Sequence, residues 1–111
     1  MKKQLTLEGR QVTAVSNALL PRLYRFHFGA DILMELQKFH QAYQTDPQTV
    51  DFAPLENLTW LMLKEGGEDV GETPEDWLRT IDNPGSVYEL AGEILQLWQQ
   101  SQQTTVKPKK K

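Results

Sequence analysis

The ten residues Leu55-Glu56-Asn57-Leu58-Thr59-Trp60-Leu61-Met62-Leu63-Lys64 constrain this chain more than any other part of it. At about 100° per residue, Leu55, Leu58, Trp60, Leu61, Met62 and Leu63 point almost all round a helix. A helix that is apolar on nearly every side has to be central and largely buried. The remainder of a 111-residue chain must supply its surroundings, and that length fits one domain.

The flanking segments carry recognisable element signals. In Gln4-Leu5-Thr6-Leu7-Glu8 the apolar residues alternate, which puts Leu5 and Leu7 on one face of a strand. Glu8-Gly9-Arg10 supplies a turn, and Gln11 to Val15 resumes strand-forming residues, so a β-hairpin is expected over 4–15. Pro21 suits the first turn of a helix reaching Phe28, and a longer helix is expected from Ala30 to Tyr43. Gly29 either bends one continuous element or separates two. Ile32, Leu36, Phe39 and Tyr43, with Leu33 beside them, form a stripe that should face the core. Asp46-Pro47 ends that helix, because the residue before a proline is pushed out of helical geometry.

Beyond the central helix, Glu65 to Gly71 reads as a flexible acidic loop. Thr73-Pro74-Glu75-Asp76 then marks a helix start, with a capping hydroxyl, a first-turn proline and carboxylates at the positive end of the dipole. Ser86-Val87-Tyr88-Glu89 matches a capping box for a last helix that turns Val87, Leu90, Ala91, Ile94, Leu97 and Trp98 inward. The expected fold is mainly α with an N-terminal β-hairpin (α+β), a small single-domain helical bundle. Residues 1–103 form the globular part, with helices within 21–103, and 104–111 form a disordered basic tail.

Charge and composition exclude several function classes. Residues 46–93 hold two Lys/Arg against twelve Asp/Glu, and a field of that sign repels phosphate backbones. The chain has no cysteine, so thiol catalysis and thiolate metal sites are ruled out. No apolar run reaches the ~20 residues of a membrane span, and the basic start lacks the apolar region of a signal peptide. The expected setting is cytoplasmic, with neither nucleic acid nor membrane as partner.

Catalytic constellations fare poorly too. Gly66-Gly67 and Gly71 lie among acids and would repel an anion. Glu68-Asp69-Val70-Gly71-Glu72 lacks the alternating carboxylates of a calcium loop. His27, Asp31 and Glu35 fall one helical turn apart and could line up on a metal ion if the helix crosses Gly29 unbroken; an exposed charge pair is the plainer reading. Neither catalytic residue nor cofactor nor metal site is expected. The three tryptophans, Trp60, Trp77 and Trp98, read as core anchors. Tyr24, Phe26 and Phe28 alternate with Arg25 and His27, so whichever geometry forms, one aromatic or basic residue faces outward.

The order of these segments resembles the tail assembly chaperones of long-tailed bacteriophages and prophages, especially those of Gram-positive bacteria. The blocks are Leu5-Thr6-Leu7-Glu8-Gly9-Arg10-Gln11-Val12, Pro21 through Phe28-Gly29-Ala30-Asp31, Leu58 to Leu63, Thr73 to Leu78, and Val87-Tyr88-Glu89-Leu90 through Trp98 to the lysine-rich end. Together they span almost the whole chain. The resemblance implies a non-catalytic factor that binds the tape measure protein, keeps it soluble and extended in the host bacterial cytoplasm, and is absent from the mature virion. It also implies a longer product made by ribosomal frameshifting near Lys109-Lys110-Lys111, through which the tail tube protein would be a second partner. Self-association stays open. Tyr24, Phe28 and Trp60, each of large apolar area, are the expected partner-binding residues. The alternatives are a structural phage protein (head–tail connector or minor tail component) and a small metal-dependent enzyme.

Overall fold

A computed structural model describes residues 1–102, as a two-stranded hairpin followed by five helices. Strands β1 (Lys2–Leu7) and β2 (Arg10–Val15) pair antiparallel with Leu5 opposite Val12 and Leu7 opposite Arg10. That register leaves Glu8 and Gly9 as the whole turn, at φ 50° and 83°. A right-twisted hairpin closes best through two residues of positive φ. Glu8 takes that conformation without being glycine, and its Oε2 accepts the Asn83 N–H at 3.1 Å, tying the turn to the far side of the chain. Leu5, Leu7, Val12 and Ala14 are buried on one face, as the alternation requires.

Two helices follow, and Gly29 separates them. Helix α1 (Leu20–Phe28) ends where Gly29 adopts φ 65° and donates its N–H to the Arg25 carbonyl. Helix α2 (Ile32–Thr45) starts afresh at Asp31, whose Oδ1 accepts the N–H groups of Leu33 and Met34. Helix α3 (Ala53–Glu65) is the centre of the molecule, touching β2, α5, α2, α1 and α4. Its residues Leu58 to Leu63 are buried without a break, Thr59 included, whose hydroxyl donates to the Leu55 carbonyl at 2.7 Å. The short α4 (Pro74–Leu78) begins under the Thr73 cap, as expected, and α5 (Pro84–Ser101) buries all six residues assigned to its inner stripe.

Three expectations need correction. Ser86 does not cap α5. The helix starts three residues earlier, with Asn83 Oδ1 accepting the Gly85 N–H at 2.9 Å and Pro84 in the first turn, a cap–proline pair as good as the one at Thr73-Pro74. The segment after α3 is not a free acidic loop. Val70 is buried, its carbonyl accepts the Trp60 Nε1–H at 3.1 Å, and Glu68 Oε2 accepts the Thr13 N–H at 2.8 Å. Glu68 thereby satisfies a donor on the outer edge of β2 that would otherwise be open to another strand. Finally, the stripe of α2 is not wholly in the core: Ile32 is buried, whereas Leu33 is 57% and Tyr43 49% exposed. The expected disordered tail, 104–111, lies outside the described residues.

Candidate functional site

The uncovered side of α2 leads to an open, mostly apolar surface. Helices α2 and α5 both pack on α3 but have little contact with one another. The space between them is a groove of about 460 Å³ lined by Phe39, His40, Tyr43, Phe52, Leu55, Tyr88, Ala91, Gly92 and Leu95. A second hollow of about 440 Å³, bounded by Leu33, Leu36, Gln37, Trp98 and Gln99, shares Phe39, His40 and Leu95 with the first. The two form one trough. Early α2 residues face late α5 residues and vice versa, so the walls run antiparallel.

An aromatic chain closes one end of the trough. Phe39 lies 6.0 Å from Tyr43 and 5.4 Å from Phe52, which is in turn 5.2 Å from Tyr88 across on α5. Phe52 immediately precedes α3, so the central helix holds both walls apart through its first residues. The lining is otherwise hydrocarbon, glutamine amide and the His40 imidazole. Such a surface can exclude water from another apolar face and orient it through a few polar edges.

The three residues expected to bind a partner do come together, but inside the molecule. Tyr24 is 4.7 Å from Phe28, and Phe28 is 5.9 Å from Trp60, between ring centroids. Tyr24 is 0% and Trp60 1% exposed, because α1 lies flat on α3 with this cluster between them, and only Phe28 reaches partway to solvent. A partner cannot touch Tyr24 or Trp60 in this conformation. Burial pushes the Tyr24 phenol up to about 12, against a smaller lowering by the Asn57 side chain, and the Glu35 carboxylate beside its hydroxyl raises it further. The outward aromatic of α1 is Phe26, 80% exposed between Arg25 and His27.

The row His27, Asp31, Glu35 does not exist as a row, since Gly29 puts His27 on a different helix from the other two. Asp31 is occupied as the α2 cap and meets Arg25 at 3.6 Å, while His27 sits edge-on to Trp60. No group of three His, Asp or Glu among the described residues could hold a metal ion. Glu56 is partly buried; desolvation first, then the carboxylates of Asp51 and Glu75, raise its pKa.

The trough was visible in the sequence only in part. Leu33 and Met34 broaden the apolar face of α2 beyond what one neighbour can cover, and Tyr88, Gly92, Leu95 and Gln99 recur at helical spacing beside the inner stripe of α5. No helix among the described residues is long and apolar enough to cross a membrane. No family model, curated protein or solved structure matches this chain.

Proposed function

We propose that this chain is a tail assembly chaperone of a long-tailed bacteriophage or prophage. It binds the tape measure protein in the host cytoplasm, keeps that long helical chain soluble and extended while the tail tube forms around it, and leaves before the virion is mature. The order of sequence blocks suggests the reading, and one structural observation supports it: the α2–α5 trough leaves Leu33, Tyr43 and Tyr88 about half exposed along two antiparallel helices. Grooves of this kind accept amphipathic helices, whose apolar stripes would otherwise aggregate. Covering and releasing such a stripe makes and breaks no covalent bond, so the work is done by burial alone.

Co-expression with a fragment of the tape measure protein tests it. The fragment should move from the insoluble to the soluble fraction and be retained with this chain on a pull-down. No retention, together with no gain in solubility, overturns the reading. Detection of the chain by mass spectrometry in purified particles overturns its departure from the virion.

A further inference from the structure

We infer that the α2–α5 trough seats about three turns of an amphipathic partner helix whose Lys/Arg flank lies against α5. The inference rests on the proposed function for the partner's identity, and on the trough's geometry and charge for its chemistry. From Leu33 to Tyr43 the α2 wall advances ten residues, about 15 Å at 1.5 Å per residue, which matches close to three turns of a partner.

The two walls differ in charge. Helix α5 carries two carboxylates, Glu89 and Glu93, and no cation from Pro84 to Ser101. Each follows a trough residue, Tyr88 or Gly92, by one position, so each stands about 100° round on the exposed shoulder. The shoulder of α2 is neutral, with Gln37, Gln41 and Gln44, and its Lys38 borders a different hollow beside Val50 and Pro54. Carboxylates on one rim favour a cationic flank and repel an anionic one. They equally repel a phosphate backbone.

Gly92 is the place of closest approach. It sits in the middle of an 18-residue helix, where glycine is unfavourable, and a Cβ built on it meets nothing within 4 Å. The opening above it lets a partner backbone come near. A second copy of this chain fits less well. Its own exposed cationic helix, α1 with Arg22 and Arg25, offers only Phe26, and Leu19 just before its first turn, as exposed large apolar residues, seven positions apart. That leaves the middle of a three-turn trough unfilled.

The test uses the full chain and labelled 18-residue helical peptides with a leucine stripe, flanked on one side by lysines or by glutamates, read by fluorescence anisotropy. The lysine peptide should bind ~10-fold more tightly than the glutamate peptide at low salt, a gap that narrows toward 1 M salt. Gly92→Gln fills the trough while improving helix propensity, so it should cut lysine-peptide affinity ~10-fold or more without lowering Tm. The pair Glu89→Gln and Glu93→Gln should bring the two peptides within about twofold of each other.

Equal binding of both peptides overturns the inference, as does unchanged binding by Gly92→Gln. A dimer in sedimentation equilibrium that Gly92→Gln dissociates also overturns it, assigning the trough to a second copy. Failure here is separable from failure of the proposed function. Tape measure retention that survives Gly92→Gln removes the trough from the reading, and peptide binding without tape measure retention removes the tape measure.

Discussion

The same substitution, glycine to alanine, should change stability in opposite directions at two positions, the C-cap of α3 and the middle of α5. At Gly66, where α3 meets β2, a Cβ would fall well inside van der Waals contact with the Thr13 carbonyl oxygen, 2.7 Å from its carbon and 3.3 Å from the Ala14 nitrogen. All three are backbone atoms of a paired strand, so no rotamer change relieves the clash. Relief requires β2 to lift from the end of α3, and β2 is also held there by the Glu68–Thr13 hydrogen bond and by buried Val12 and Ala14. Overpacking of this kind costs typically 1–3 kcal/mol, and with unyielding backbone we place Gly66→Ala near ~3 kcal/mol destabilising. At Gly92 nothing lies within 4 Å, and the helix propensity difference alone should stabilise by ~1 kcal/mol. Urea unfolding followed by tryptophan fluorescence reads both, since all three tryptophans are buried. With total stability expected near 5–15 kcal/mol, the midpoints should separate clearly on either side of wild type. Equal effects at the two sites, or a neutral Gly66→Ala, would refute the close approach of α3 to β2 and with it the account of why the hairpin sits where it does.

Asn83→Ala should destabilise by ~1 kcal/mol, whereas Ser86→Ala should stay within ~0.5 kcal/mol; urea midpoints reversed in order would return the α5 cap to Ser86. Tyr24, pushed up to about 12, keeps its proton in the folded chain while the unfolded chain releases it near the ordinary ~10, so its contribution is full below pH ~10 and is lost as pH rises to about 12. Subtracting the urea midpoints of Tyr24→Phe from those of wild type between pH 9 and 12 should expose that decline, and a flat difference contradicts it. The raised pKa of Glu56 has the opposite physiological consequence: its neutral form is favoured by folding, so stability from it is present at acid pH and lost as pH rises through the folded value. Glu56→Gln should therefore raise Tm at pH 7 and leave it nearly unchanged at pH 3.

The fold was legible where a single physical signal decided the outcome. Leu5 and Leu7 alternate over a glycine-containing turn, the 55–64 segment is apolar all round, and the α5 stripe repeats at helical spacing, so burial follows from each without knowledge of its neighbours. Local signals in competition were harder to rank. Asn83-Pro84 and Ser86-x-x-Glu89 both begin a helix, and the earlier one prevails because nothing in the chain stops a helix that has already started. Gly29 is likewise ambiguous until the next residues are weighed. Asp31 caps α2 at once, which makes a left-handed break cheaper than a continuous helix. The candidate site was the least legible part. Large aromatic side chains look the same in sequence whether they lie between α1 and α3, as Tyr24 and Trp60 do, or flank an opening, as Tyr43 and Tyr88 do. Which face of α2 stays uncovered depends on α2 and α5 both choosing α3, a tertiary outcome that no local pattern encodes.

The energetics of the trough bear on what kind of covering it can give. Of the residues lining it, Leu33, Tyr43 and Tyr88 are each about half exposed. Finishing the burial of a side chain worth ~2 kcal/mol in full yields ~1 kcal/mol apiece, so the chain contributes ~3 kcal/mol. Three stripe residues of a partner add ~6 kcal/mol. Lost translational and rotational freedom removes at least ~4 kcal/mol, which leaves no more than ~5 kcal/mol, a Kd of roughly hundreds of micromolar or weaker. One trough on one stretch of helix is thus a short-lived contact, and stable coverage of a long chain has to come from many such contacts held at high local concentration. On the proposed function, a coat that must come off as a tube closes would need that weakness, because a nanomolar grip would require ~12 kcal/mol to undo at every site. A single-site Kd below ~1 µM for the lysine-flanked peptide would contradict the argument, since it would demand buried area that the trough does not have.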